Sequence, residues 1–131
     1  MFTMDSGAMD TVVGLDVCPN IPRQDSRISL LGLKYEVVNG QVIKNEGQNI
    51  LEGFTEEGIP IGVTAQLAGV NKPLMSVMRT CNSGNTVVFD DEGSYVYNKN
   101  TGMLSEIRND GKRYIFPLWV QQGFTGQGKT M

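Results

Sequence analysis

The chain has 131 residues, a net charge of −3 and no histidine, with 40% hydrophobic and 19% charged residues. That length fits one compact domain with a single core, and the composition is that of an ordinary globular chain. The missing histidine excludes Ser-His and Cys-His nucleophiles and His-liganded zinc, and the absence of a basic run argues against nucleic acid as a partner.

In chain order, sixteen glycines punctuate short apolar runs, a spacing that predicts an all-β fold. The expected strands are Phe2–Met4, Thr11–Leu15, Tyr35–Val38, Gln41–Lys44, Asn49–Phe54, Ile59–Leu67, Thr86–Phe89, Ser94–Tyr97, Met103–Arg108 and Arg113–Val120. Residues 20–33 read as a connection with some apolar anchoring. Asn39-Gly40 is the pair favoured in a two-residue type I′ hairpin, and Asp110-Gly111 is nearly as good. Glu56-Glu57-Gly58 and Asp91-Glu92-Gly93 suit longer loops. Between Leu74 and Asn82 the pattern changes to that of a short helix, with Gly84 as its stop. Trp119 is expected to anchor the core or an interface. Residues 1–120 form the domain, with 90–120 as a C-terminal hairpin extension and 121–131 as a flexible tail.

Several functional readings fall away. Cys18 and Cys81 are far apart and read as two isolated thiols, and no CxxC metal pair occurs. Gly123 to Thr130 fits the spacing of a P-loop, but no helix follows that could hold phosphates. No run is apolar enough to span a bilayer, and Met1 to Met9 lacks the pattern of a signal peptide. The expectation is a cytoplasmic protein with no membrane partner, no metal and no cofactor. Any catalysis must come from carboxylates, hydroxyls, lysine or bound water.

Asp5-Ser6-Gly7-Ala8 is the candidate site. Alone, these are common turn residues. At the end of a short apolar strand, however, the carboxylate sits on a rigid element and the small residues let another backbone approach.

The order of features resembles the retropepsin family, the single-domain aspartic proteases of retroviruses and retrotransposons. The stretch Asp5-Ser6-Gly7-Ala8-Met9-Asp10-Thr11-Val12 is similar to the catalytic Asp-Thr-Gly-Ala-Asp-Asp-Thr-Val stretch of viral members. Leu74-Met75-Ser76 stands where the family has two apolar residues and a glycine, and Leu-Met-Ser-Val is also similar to a run in copia-type retroelement polyproteins. The likeness covers roughly residues 2–89. It implies a closed or nearly closed β-barrel with one short helix, to which the C-terminal hairpins are added. It also implies catalysis by Asp5, supported by Ser6 and Gly7, and a substrate cleft bordered by Ala8 and Asp10. The hairpin Glu36–Lys44 becomes a flap whose Val38, Asn39, Gly40 and Gln41 meet the substrate.

The implied activity is that of an aspartic endopeptidase acting on a peptide or polyprotein. Two carboxylates that share one proton are needed, as in the aspartic-protease dyad. Only one such motif is present, so a homodimer must supply the second Asp5. The strand Thr86–Phe89 would pair across the dimer axis. The alternative is a catalytically decayed copy retained as a dimerisation or peptide-binding module.

Three positions depart from the family pattern. Met9 stands for a carboxylate, Val77 for the arginine that pairs with it, and Ser76 for the glycine. The expectation is that the supporting ion pair is lost and that Ser76 narrows the space behind the loop.

Overall fold

The computed structural model describes residues 1–36 and 40–121. Its strands in chain order are β1 Phe2–Asp5, β2 Val12–Val13, β3 Lys34–Glu36, β4 Val42–Lys44, β5 Gln48–Thr55, β6 Pro60–Leu67, β7 Leu74–Ser76, β8 Asn85–Val88, β9 Ser94–Asn98, β10 Leu104–Asn109, β11 Tyr114–Phe116 and β12 Leu118–Val120. Two short helices, α1 Arg27–Leu30 and α2 Val77–Asn82, complete the element order.

The all-β class holds. Ten strands form one ladder in the order β12-β5-β6-β2-β7-β1-β11-β10-β9-β8, and β3 pairs with β4 in a separate hairpin. The expected closed barrel is not formed among the described residues. The terminal strands β12 and β8 each pair on one side only, β12 with β5 and β8 with β9.

Alternation builds the core. Phe2 and Met4 of β1 point inward while Thr3 and Asp5 take the other face. The inward pair joins Val13, Leu51, Leu67, Met75, Val96, Ile107, Phe116 and Leu118 in one apolar cluster. Burial of Phe2 or Phe116 contributes about 3 kcal/mol or more, judged by the cost of truncating such side chains.

Two crossings fix the centre of the molecule. β1 runs parallel to β7, with Asp5 opposite Ser76. β2 runs parallel to β6 and antiparallel to β7. Pairing of residues some 70 positions apart thus holds the Asp5 loop against the β7–α2 junction.

The segment expected as helix is divided. Leu74–Ser76 is a strand, because its backbone is committed to β1 and β2. Helix α2 begins after Ser76, whose side chain accepts the Arg79 N–H as its N-cap. Gly84, at φ +91°, follows the Ser83 cap in the left-handed region, as expected of a glycine stop. The connection 20–33, expected as irregular, contains the one-turn helix α1. A reciprocal Ser26–Ser29 capping box organises it. The single strand expected over Arg113–Val120 is two strands, β11 and β12, separated at the buried Pro117. Proline offers no N–H to a ladder, so the chain changes partner there. Trp119 is 51% exposed and lies across from Phe54, so it anchors no core. No helix among the described residues is long and apolar enough to cross a membrane.

Candidate active site around Asp5

Asp5 is the last residue of β1 and is half-buried. The chain turns immediately after it. The Gly7 N–H donates to the Asp5 carboxylate at 2.8 Å, and the Ala8 N–H reaches the Asp5 carbonyl at 3.4 Å. A Cβ at position 7 would stand 3.4 Å from the same carboxylate oxygen. Glycine there keeps the approach to Asp5 open. Ser6 and Gly7 are exposed, and Ala8 is partly exposed.

Ser76 has a different role from the one expected. It is fully buried, and its hydroxyl donates to the Ala8 carbonyl at 2.8 Å while accepting the Arg79 N–H at 3.1 Å. Its own N–H donates to Thr11 Oγ1 at 3.0 Å. A glycine could make only the last of these bonds. Rather than narrowing the space behind the loop, the hydroxyl fastens the loop to the start of α2.

An ion pair not expected from the sequence braces the same loop. Arg79 Nη2 lies 2.9 Å from Asp10 Oδ1, and Arg79 Nε donates to the same oxygen at 3.0 Å and to the Met9 carbonyl at 3.2 Å. Met9 and Val77 carry no charge and form no such pair, as expected; the charges that brace the loop stand one position after Met9 and two after Val77. One turn of helix separates Ser76 from Arg79, so the side chain returns to the loop that Ser76 holds.

Asp10 is almost completely buried. Its second oxygen, Oδ2, accepts the Tyr35 hydroxyl at 3.1 Å. Both oxygens are thus engaged within the chain, and Asp10 braces the loop. Burial and the nearby Asp10 carboxylate push the Tyr35 phenol up to about 12, against an opposing hydrogen bond from Asn45. The phenol therefore remains a donor.

From Tyr35 the network passes into the interior. Asn45 Nδ2 donates to the Tyr35 oxygen at 3.0 Å and to Gln66 Oε1 at 2.9 Å. Asn45 Oδ1 accepts from Ser26 Oγ at 3.2 Å and from the Gly47 N–H at 2.8 Å. Asn45 is 1% exposed, so such full pairing is what its burial requires. The consequence is mechanical. The β3–β4 hairpin is joined through Tyr35 to the loop that carries Asp5.

The remaining expected residues lie on that hairpin. Gly40, at φ +81°, and Gln41 are both exposed. Val38 and Asn39 lie outside the described residues. No group of three His, Cys, Asp or Glu side chains suited to a metal occurs among the described residues.

A cavity of about 660 Å³ lies elsewhere: Asp10 and Arg79 border it, and Asp5 does not. The expected site residues Asp5 to Ala8 therefore cluster on one turn, apart from this cavity. Tyr35, Asn45, Gln66 and Arg79 were not singled out by sequence. Gln66, a lone amide in the run Ile59–Leu67, was the one readable signal among them, since a polar group in a buried strand needs a partner.

No protein family, curated protein or solved structure matches this chain.

Proposed function

We propose that the chain is an aspartic endopeptidase domain of the retropepsin type that acts as a homodimer. One observation carries the reading. A D-S-G-A turn closes a core strand, and its loop is fastened by hydrogen bonds to the strand–helix junction beside it. Such fastening is what a catalytic carboxylate needs, because small displacements of a reacting group cost large factors in rate.

In the proposed dimer two Asp5 carboxylates face each other. Like charges at that distance cannot both ionise, so the pair holds one proton. The charged member takes a proton from water as it attacks the scissile carbonyl. The protonated member donates to the carbonyl oxygen, and a proton then passes to the departing amine. The β3–β4 hairpin, with Gly40 and Gln41, serves as the flap over an extended peptide.

The test is cleavage of an unstructured protein substrate between pH 4 and 7. Activity is expected to peak on the acid side, where one carboxylate of the pair stays protonated. Asp5→Asn is expected to abolish cleavage with the fold unchanged by circular dichroism. Full activity in that variant would remove Asp5 from the mechanism.

A second reading is a non-catalytic module for dimerisation or peptide binding. It is favoured by the position of the large cavity, which Asp5 does not line. Absence of cleavage at every pH, together with dimerisation, would select it.

A further inference from the structure

Strand β6 is only partly covered. Along one edge it pairs with β5 from Pro60 to Gln66. Along the other it pairs with β2, and only at Gln66 and Leu67. Among the described residues, no strand covers that second edge over 60–65.

The 660 Å³ cavity runs beside this edge. Ile61, Gly62, Val63 and Thr64 all line it. Consecutive strand residues point to opposite faces, so one cavity can touch all four only along the strand's edge. The other edge belongs to β5, which leaves the uncovered one.

The hydrogen-bonding phase identifies the free groups. The Gln66 N–H points away from β5, to the Thr11 carbonyl at 2.8 Å. With a period of two, the N–H and C=O groups of Gly62 and Thr64 point the same way. Both residues are exposed. The floor of the groove is apolar, formed by the core residues Met75, Val96 and Phe116. Thr80, Asn82 and Asn85 add polar side chains to the lining. At the turn end, the Glu57 carboxylate accepts the Glu106 N–H at 2.9 Å and Arg108 pairs with Glu56, tying the β5–β6 turn to β10.

Charge selects the occupant further. Asp10, Arg27 and Arg79 are the charged residues of the lining, and Asp10 and Arg79 pair with each other. Arg27 is exposed and makes no ion pair among the described residues. The groove therefore carries one uncompensated positive charge.

We propose that this groove receives a short extended peptide as an added strand on β6, with apolar side chains facing the floor and an acidic side chain meeting Arg27. The strand position already exists, since β2 occupies the same edge immediately beyond it. Residues 60–65 offer about 17 Å of edge, enough for roughly five residues. Recognition is the β-augmentation mode, in which backbone bonds supply affinity and alternate side chains supply selectivity. It does not involve Asp5 and holds under either functional reading.

The test uses the Asp5→Asn chain, so that no probe is cleaved, and the blocked hexapeptide Asp-Val-Thr-Val-Thr-Val. Amide exchange is followed by NMR. The expected result is fast exchange at Gly62 and Thr64 in the free chain and at least about tenfold slowing with saturating peptide. A peptide N-methylated at alternate residues should give no slowing. Gly62→Pro removes an N–H that β5 does not use, and should weaken binding about tenfold, the worth of one hydrogen bond at the upper end of its range. Arg27→Glu should weaken it about threefold. No slowing at millimolar peptide would overturn the proposal, as would equal slowing by the N-methylated control. It would also fail if Gly62 and Thr64 were already protected in a self-associated free chain, because a second copy would then fill the groove.

Discussion

Residues 2–76 and residues 85–116 are built in opposite ways. The C-terminal part is a meander, in which β8, β9, β10 and β11 each pair with the next across a short turn. The N-terminal part contains local hairpins too, β3–β4 and β5–β6, but its strands around Asp5 are held by distant partners: Asp5 with Ser76, Val12 with Gln66, Asp10 with Arg79 and Tyr35. Local pairing is cheap in loop-closure entropy and tolerant of surface change. Distant pairing through few polar bonds fixes a geometry but concentrates its stability in a handful of side chains. The candidate site lies in the second kind of structure, as a site that needs positioning should.

That contrast can be broken at its strongest bond first. Arg79→Ala leaves the Asp10 carboxylate buried without its cation and is expected to cost about 3 kcal/mol, the lower end for stranding a buried charge. Asp10→Asn should cost less, because Arg79 is 53% exposed and returns to water. Urea unfolding of the two variants checks the order, and equal losses would contradict the brace. Ser76→Ala comes next. It removes the N-cap and the bond to the Ala8 carbonyl, with an expected loss of about 2 kcal/mol. If the chain is active, Ser76→Ala should also lower kcat, whereas a change in the meander should not.

Tyr35→Phe is a smaller perturbation with a distinctive pH signature. The folded phenol ionises at about 12 against an ordinary 10.0. The neutral form is therefore favoured by folding. Its contribution is fully present below pH 10 and fades as pH rises from 10 towards 12. Wild-type stability should fall in that window, and Tyr35→Phe should lose about 1 kcal/mol at neutral pH but flatten the alkaline decline. An unchanged alkaline slope would remove Tyr35 from the network. The smallest effect is expected in the meander. Gly111 sits at φ +89° in an open turn, so Gly111→Ala should cost about 1 kcal/mol in backbone strain and nothing in the Asp5 loop.

The same division explains what was legible in the sequence. The meander follows from turn chemistry: Asp91-Glu92-Gly93 lies where the chain reverses, and the β10–β11 reversal centres on Gly111-Lys112, one residue past the expected type I′ pair, because Asp110 pairs with Arg113 and takes no positive φ. The Asp5 turn was legible because its residues are adjacent. Its support was not. Arg79 reads as an ordinary helix residue until β7 is known to lie beside β1, and Asn45 reads as a turn residue until Tyr35 and Gln66 surround it. Ser76 stands out in the sequence as the residue in the glycine position, but its bonding to Ala8 and Arg79 does not, since a hydroxyl's partners depend on the fold. The expected closed barrel failed for a similar reason: strand count and spacing do not determine which edges meet.

The central claim is that catalysis takes one Asp5 from each of two chains. Mixing tests it most directly. Wild-type and Asp5→Asn chains are combined one to one at constant total concentration, under conditions that allow exchange, and cleavage is compared with wild type alone. If both carboxylates are required, only pairs of two wild-type chains are active, and the rate should fall to about a quarter. A rate of about one half would show that each chain works by itself, and would contradict the account.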